Sequence, residues 1–131
     1  MVASAAGQDP GAPPVADFLG QYFAAINSHD FQSYVSLLNP NMQKDMTAQQ
    51  FDSGYRSTAD SSETLTGIST AANGDTVAAV TFTSHQDPAD SVDHKETCTD
   101  WKISLFLEQA STGYVIDQPL SSYHAAHSPC Q

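Results

Sequence analysis

Few side chains in this chain have the type and setting to do chemistry. Acid–base work needs a carboxylate or imidazole in an apolar place, where lost solvation moves its pKa toward neutrality. Asp117, which follows Tyr114-Val115-Ile116, and His85, which closes an alternating run, are the two bases so placed. The Tyr34 hydroxyl is the donor that would serve a developing oxyanion. A bound ligand would meet Tyr22, Tyr55, the single arginine Arg56 and the single tryptophan Trp101. Asp100 and Tyr123 complete the polar groups that a pocket could use.

Each of these has a plainer reading. The tyrosines fall on helical stripes, where packing with the hydroxyl at the core edge is the ordinary fate. Arg56 suits a rim ion pair. Asp117 is solvated if its face of the last strand is convex. The expectation is therefore a protein without a catalytic set, with Asp117, His85 and Tyr34 as the alternative.

Metal chemistry has two starting points. His124-X-X-His127-X-X-Cys130 has spacing for zinc, and Asp87, Asp90, Asp93 and Glu96 crowd one acidic loop. The first competes with a disulfide for Cys130, and the second lacks the alternating ligands and glycine of an EF-hand loop. No metal and no cofactor is expected. The chain also lacks a Gly-X-Ser-X-Gly elbow, a phosphate-binding P-loop and a Gly-X-Gly-X-X-Gly turn.

The two cysteines, Cys98 and Cys130, are remote and outside any C-X-X-C pair. A cysteine next to the chain end is most simply a staple. Joined to Cys98 it would close a loop worth roughly 3–4 kcal/mol in the chain-entropy model and imply export to an oxidising compartment. The opening residues lack the basic and apolar regions of a signal peptide, so Met1 reads as an added start and a signal, lipid anchor or membrane helix is expected upstream.

Charge excludes some partners. Fifteen acids against four bases give a net charge of −11, and Lys44, Arg56, Lys95 and Lys102 form no cluster. Nucleic acid and anionic membrane surfaces both need clustered cations. What remains is a small apolar ligand, a protein partner, or a second copy meeting an exposed sheet face.

The elements that would position these groups come in two blocks. Residues 1–14 are small and Gly/Pro-rich, a flexible linker arm, and residues 15–131 form one domain. Val15, Phe18, Leu19, Tyr22, Phe23 and Ile26 make one helical stripe. Asp30 caps a second helix ended by Asn39-Pro40, and Thr47 with Gln50 opens a third. From Ser62 the period becomes two, with strands over 62–70, 76–84, 97–109 and 114–118 and a turn at Asn73-Gly74-Asp75. The tail from Leu120 is expected to lie across the sheet. Helices followed by antiparallel strands mean α+β: three N-terminal helices on a curved, mainly antiparallel sheet.

The order of helix, Ile26-Asn27-Ser28-His29-Asp30-Phe31, helix, Leu37-Leu38-Asn39-Pro40, short helix and long strands with a Trp resembles the nuclear-transport-factor-two-like superfamily. Asn27, Asp30, Phe31 and Tyr34 stand where its members carry a turn, an aromatic residue and a second helix. The resemblance covers about 15–117 and implies a cone-shaped sheet whose mouth often holds a small-molecule pocket. Relatives resembling ketosteroid isomerase or polyketide cyclases are enzymes, whereas many others only bind. The reading that follows is a non-catalytic exported or surface-anchored bacterial module for a small apolar ligand or a protein. The alternative is a small isomerase, cyclase or dehydratase with an Asp or His base in the cone.

Overall fold

The computed structural model describes residues 10–90, 97–111, 113–119 and 123–130, and four helices precede five strands in it. Helix α1 (Ala12–Asn27) begins with Pro13 and Pro14 in its first turn, where their missing N–H groups cost nothing. It starts three residues before the stripe, so Ala12 to Pro14 belong to the helix rather than to the arm. Its stripe is buried from Val15 to Ile26. It ends where His29 adopts a φ of 55°, and the His29 N–H closes onto the Ile26 carbonyl at 3.1 Å.

Helix α2 (Phe31–Val35) is capped by Asp30, whose carboxylate accepts from the Ser33 N–H. It is shorter than the stripe suggests, because Leu37 and Leu38 leave the helix. The Ile116 N–H bonds the Leu37 carbonyl at 2.7 Å and the Asn39 N–H bonds the Ile116 carbonyl at 2.8 Å. A fourth helix, α3 (Pro40–Asp45), follows where the sequence was read as a stop. Asn followed by Pro ends one helix but also serves as N-cap and first residue of the next, and here it does both. Helix α4 (Ala48–Tyr55) has the expected Thr47/Gln50 capping box.

The sheet is antiparallel, in the order β1 (Ala59–Thr70), β2 (Thr76–His85), β3 (Cys98–Ala110), β4 (Gly113–Ile116). A short turn of 3₁₀ helix over Pro88–Asp90 follows β2. The inner face carries Leu65, Ala78, Val80 and Leu107, all at most 2% exposed, and α1 lies on it. Gly74, at a φ of 93°, makes the β1–β2 turn.

Strand β1 forms one edge of the sheet and is twice irregular. Ser62 and Glu63 together face the single residue Phe82, and a second register shift follows at Thr66. Ser62 takes a φ of 56° there. Such bulges bend a strand and disrupt its free edge.

The tail does not lie across the sheet. It forms β5 (Ala126–Pro129), which extends the sheet by pairing with β3 from Thr99 to Lys102, and Cys130 is bonded to Cys98. Backbone groups satisfied by a neighbouring strand are cheaper to bury than a chain laid over side chains. Among the described residues no helix is long and apolar enough to cross a membrane.

Candidate functional site

The side chain of Asn27, the last residue of α1, grips the main chain of Asp60 at both groups. Its Nδ2 donates to the Asp60 carbonyl at 3.0 Å and its Oδ1 accepts from the Asp60 N–H at 2.7 Å. This clamp fixes the first turn of strand to the end of the helix, and the alternation of β1 then turns the Asp60 side chain inward. His29 braces the same corner, with Nε2 3.2 Å from the Thr58 carbonyl oxygen.

Asp60 is 8% exposed, and its Oδ1 has no hydrogen-bond partner. Burial pushes the carboxyl up to about 6, the Ser84 hydroxyl bonded to it pulls the other way, and the nearby Glu63 carboxylate raises it further. Over it stand three tyrosines from three helices. The ring centroids of Tyr22 and Tyr34 are 6.0 Å apart and those of Tyr34 and Tyr55 5.6 Å, with Phe51 4.8 Å from Tyr34. The Tyr55 hydroxyl is hydrogen-bonded to both of the others. Burial raises Tyr22 and Tyr34 well above the usual phenol range, and Tyr55 is raised first by its neighbour Tyr22 and then by burial. At neutral pH all three are therefore neutral hydroxyls. A buried acid able to hold or release a proton thus lies beside a hydrogen-bonded row of phenols.

A second feature lies beside this one, between α1 and β1. It is a slot of about 240 Å³, open to solvent along one side. Its helix wall is made of Ala16, Gly20 and Ala24, one small residue per turn, and its floor of Leu19, Phe23, Leu65 and Val80. A Cβ built on Gly20 would touch nothing within 4 Å. The bulge at Ser62–Glu63 bends β1 beside this wall, and Glu63 and Thr64 form the polar rim with Asn27.

The structure brings Tyr22, Tyr34 and Tyr55 together, as a cluster on a carboxyl that the sequence did not single out. Asp117 lies elsewhere. Its Oδ1 accepts from Asn39 Nδ2 and from the Gln118 N–H, each at 2.8 Å, and it faces the Asp75 carboxyl. His85 is exposed on the outer face at the end of β2. Asp100 is also outside, accepting from the Thr83 hydroxyl at 2.8 Å.

Trp101 is half-buried on the inner face, stacked on Phe82 at 6.3 Å and against His127 at 5.0 Å, away from the slot. Arg56 is exposed at the C-terminal cap of α4. The Tyr123 hydroxyl accepts from the Ser104 N–H at 2.6 Å, closing the β3 edge between β4 and β5. The zinc reading of His124 and His127 is withdrawn, because Cys130 is in the disulfide. Asp93 and Glu96 of the acidic loop lie outside the described residues. Among the described residues no three His, Cys, Asp or Glu side chains are arranged to hold a metal.

Two signals for these sites were present in the sequence. Ala16, Gly20 and Ala24 recur at i, i+4 and i+8, on a flank of the helix beside the apolar stripe. Asp60 stands at the point where the helical period gives way to alternation. The chain matches no protein-family model, no curated protein and no solved structure.

Proposed function

We propose that this chain is a non-catalytic, exported binding module that holds a small, mainly apolar molecule in the slot between α1 and β1. The observation that carries this reading is the slot itself: an apolar floor and a helix wall stripped of side chains, beside a strand bent by a bulge. Small-molecule pockets usually run from about 300 to 1,000 Å³, and 240 Å³ sits just below that range, which suits a fragment-sized occupant. The Cys98–Cys130 bond is compatible with an oxidising compartment outside the cytoplasm. Helices leading into a curved antiparallel sheet are in keeping with the nuclear-transport-factor-two-like layout.

Gly20→Leu is the direct test. The new side chain enters open space and favours the helix, so the fold should be kept or strengthened while the slot fills. Saturable NMR shift changes at Leu19, Leu65 and Val80 are expected on titrating short alkanols into the wild type, and their loss in the variant. Equal responses from both proteins would remove the slot as the site.

One observation favours a second reading, a small proton-transfer enzyme of the isomerase, cyclase or dehydratase type. Asp60, rather than Asp117 or His85, would be its base, because its unpartnered Oδ1 and its pKa of about 6 suit that task beside phenol donors. The burial that tunes the acid also keeps a substrate away from it, which is why the binding reading ranks first. Deuterium exchange at the α-carbons of a ketone panel, present in wild type and absent in Asp60→Asn, would reverse that order.

A further inference from the structure

We propose a second binding site, on the outer face of the sheet, that takes a short zwitterion of dipeptide size. The ligand's ammonium would sit on Asp100 and its carboxylate on Lys102. An open groove of about 530 Å³ runs over this face, on the opposite side of the sheet from the slot. That volume lies within the usual range for small-molecule sites, about 300 to 1,000 Å³.

Alternation along three strands builds the groove. Thr81 and Thr83 of β2, Asp100 and Lys102 of β3 and Ser128 of β5 share one face. Thr81 is opposite Lys102, and Asp100 stands between Thr83 and Ser128. The Thr83 hydroxyl donates to Asp100 Oδ1 at 2.8 Å, which fixes both side chains on that face. Ser62, at the β1 bulge, closes one side, and β5 closes the other, held by the Cys98–Cys130 bond. His127 also borders the groove, but its ring is turned to Trp101.

Charge selects the ligand. Asp100 and Lys102 are the acid and the base of the lining, both are exposed, and among the described residues neither is in an ion pair. Thr83 takes one oxygen of the Asp100 carboxylate and leaves the second for an ammonium. Lys102 brings up to three N–H donors to a carboxylate, and the hydroxyls beside the two charges can donate to or accept from a peptide amide. An ion of one sign meets one attraction and one repulsion here, whereas a zwitterion meets two attractions. The net charge of −11 favours cations over the whole surface, so preference for a zwitterion has to come from Lys102. The strand sets the length. Residues two apart on it are separated by about 6.5 Å, and two residues of extended chain span at most about 7 Å. A dipeptide therefore lies along β3 with its ends over the two charges.

Three probes test this: glycylglycine carries both charges, N-acetylglycylglycine keeps the carboxylate, and glycylglycinamide keeps the ammonium. Each is titrated into the whole oxidised chain at low salt and about pH 6.5, below the α-amino pKa, and followed by amide NMR shifts. Glycylglycine should give saturable shifts at Thr81, Thr83, Asp100 and Lys102. It should bind about three- to tenfold more tightly than either single-ended probe, as exposed ion pairs allow. In Lys102→Gln the affinities of glycylglycine and glycylglycinamide should converge, and in Asp100→Asn those of glycylglycine and N-acetylglycylglycine. Both side chains are exposed, and asparagine still accepts from Thr83, so both variants should fold. Gly20→Leu, which fills the slot, should leave the glycylglycine response unchanged. Equal binding of the three probes in the wild type, or a glycylglycine affinity that ignores both substitutions, overturns the zwitterion preference. If no probe saturates at the groove, it is not a site.

Discussion

The two ends of the sheet each hold a buried carboxylic acid whose pKa is raised, but by different neighbours. At the end closed by the disulfide, Asp60 is raised chiefly by burial, with neutral phenols above it and one oxygen left without a partner. At the β1–β2 turn, Asp75 is raised by burial and then by the Asp117 and Glu108 carboxyls around it. There one amide gathers the group: Asn39 Nδ2 donates to Asp117 and, at 3.2 Å, to Glu108, while its Oδ1 caps α3 through the Met42 N–H. Asp75 is also held by Asn73, whose Nδ2 donates to it at 3.1 Å. The acids at the turn share hydrogen-bonded amides, whereas Asp60 at the other end keeps one carboxyl oxygen without a partner. A buried polar group without a partner costs stability, so the Asp60 end carries a penalty that the turn end avoids.

Breaking the Cys98–Cys130 bond should have the largest effect. Replacing both cysteines by serine should lower stability by about 3–4 kcal/mol for a loop of this length, read from urea unfolding. Amide exchange should then rise at β5 and around Asp60 far more than at the turn.

Asp60→Asn comes next and acts in the opposite direction. A carboxyl at about 6 in the folded state, against 3.8 unfolded, favours the fold most at low pH. That advantage disappears as pH climbs from about 4 to 6, a fall of about 3 kcal/mol. The variant should therefore be the more stable protein at pH 7, with a clearly shallower slope across the window; a wild type and a variant with the same slope from pH 4 to 6 would contradict a raised Asp60.

Asn39→Asp probes the other end. It keeps the cap but replaces the amide that donates to Asp117 and Glu108 with a fourth acid. A loss of about 1–2 kcal/mol at pH 7, shrinking toward pH 4, should appear in thermal melts. Asp75→Asn should give the smallest change, a gain below about 1 kcal/mol at neutral pH, because the Asn73 amide already offsets part of the cost of the wild-type charge.

Much of the architecture was legible because it is periodic. The α1 stripe and the alternation of Trp101, Ile103, Leu105 and Leu107 report on burial directly, and two remote cysteines in a short chain report on a staple. What escaped was set by contacts remote in sequence. Asn27 reads locally as a helix stop, and its grip on Asp60 spans 33 positions. Leu37 and Leu38 fit a helical stripe, yet Ile116 takes the Leu37 carbonyl and the Asn39 N–H on either side of Leu38. The tail has no strand pattern of its own and borrows one from β3. Asp117 looked like a base from its place after an apolar run, and only the positions of Asn39 and Asp75 show that it belongs to a structural knot.

The disulfide also guards the solubility of the chain. Strand β5 covers the N–H and C=O groups of Thr99 to Lys102, held there by its own short ladder, the His127 ring on Trp101 and the sulfur bridge. In a reducing compartment this flap would lift and bare a ready template for a neighbouring molecule's strand, so chains that fail to oxidise are the ones that should stick to each other.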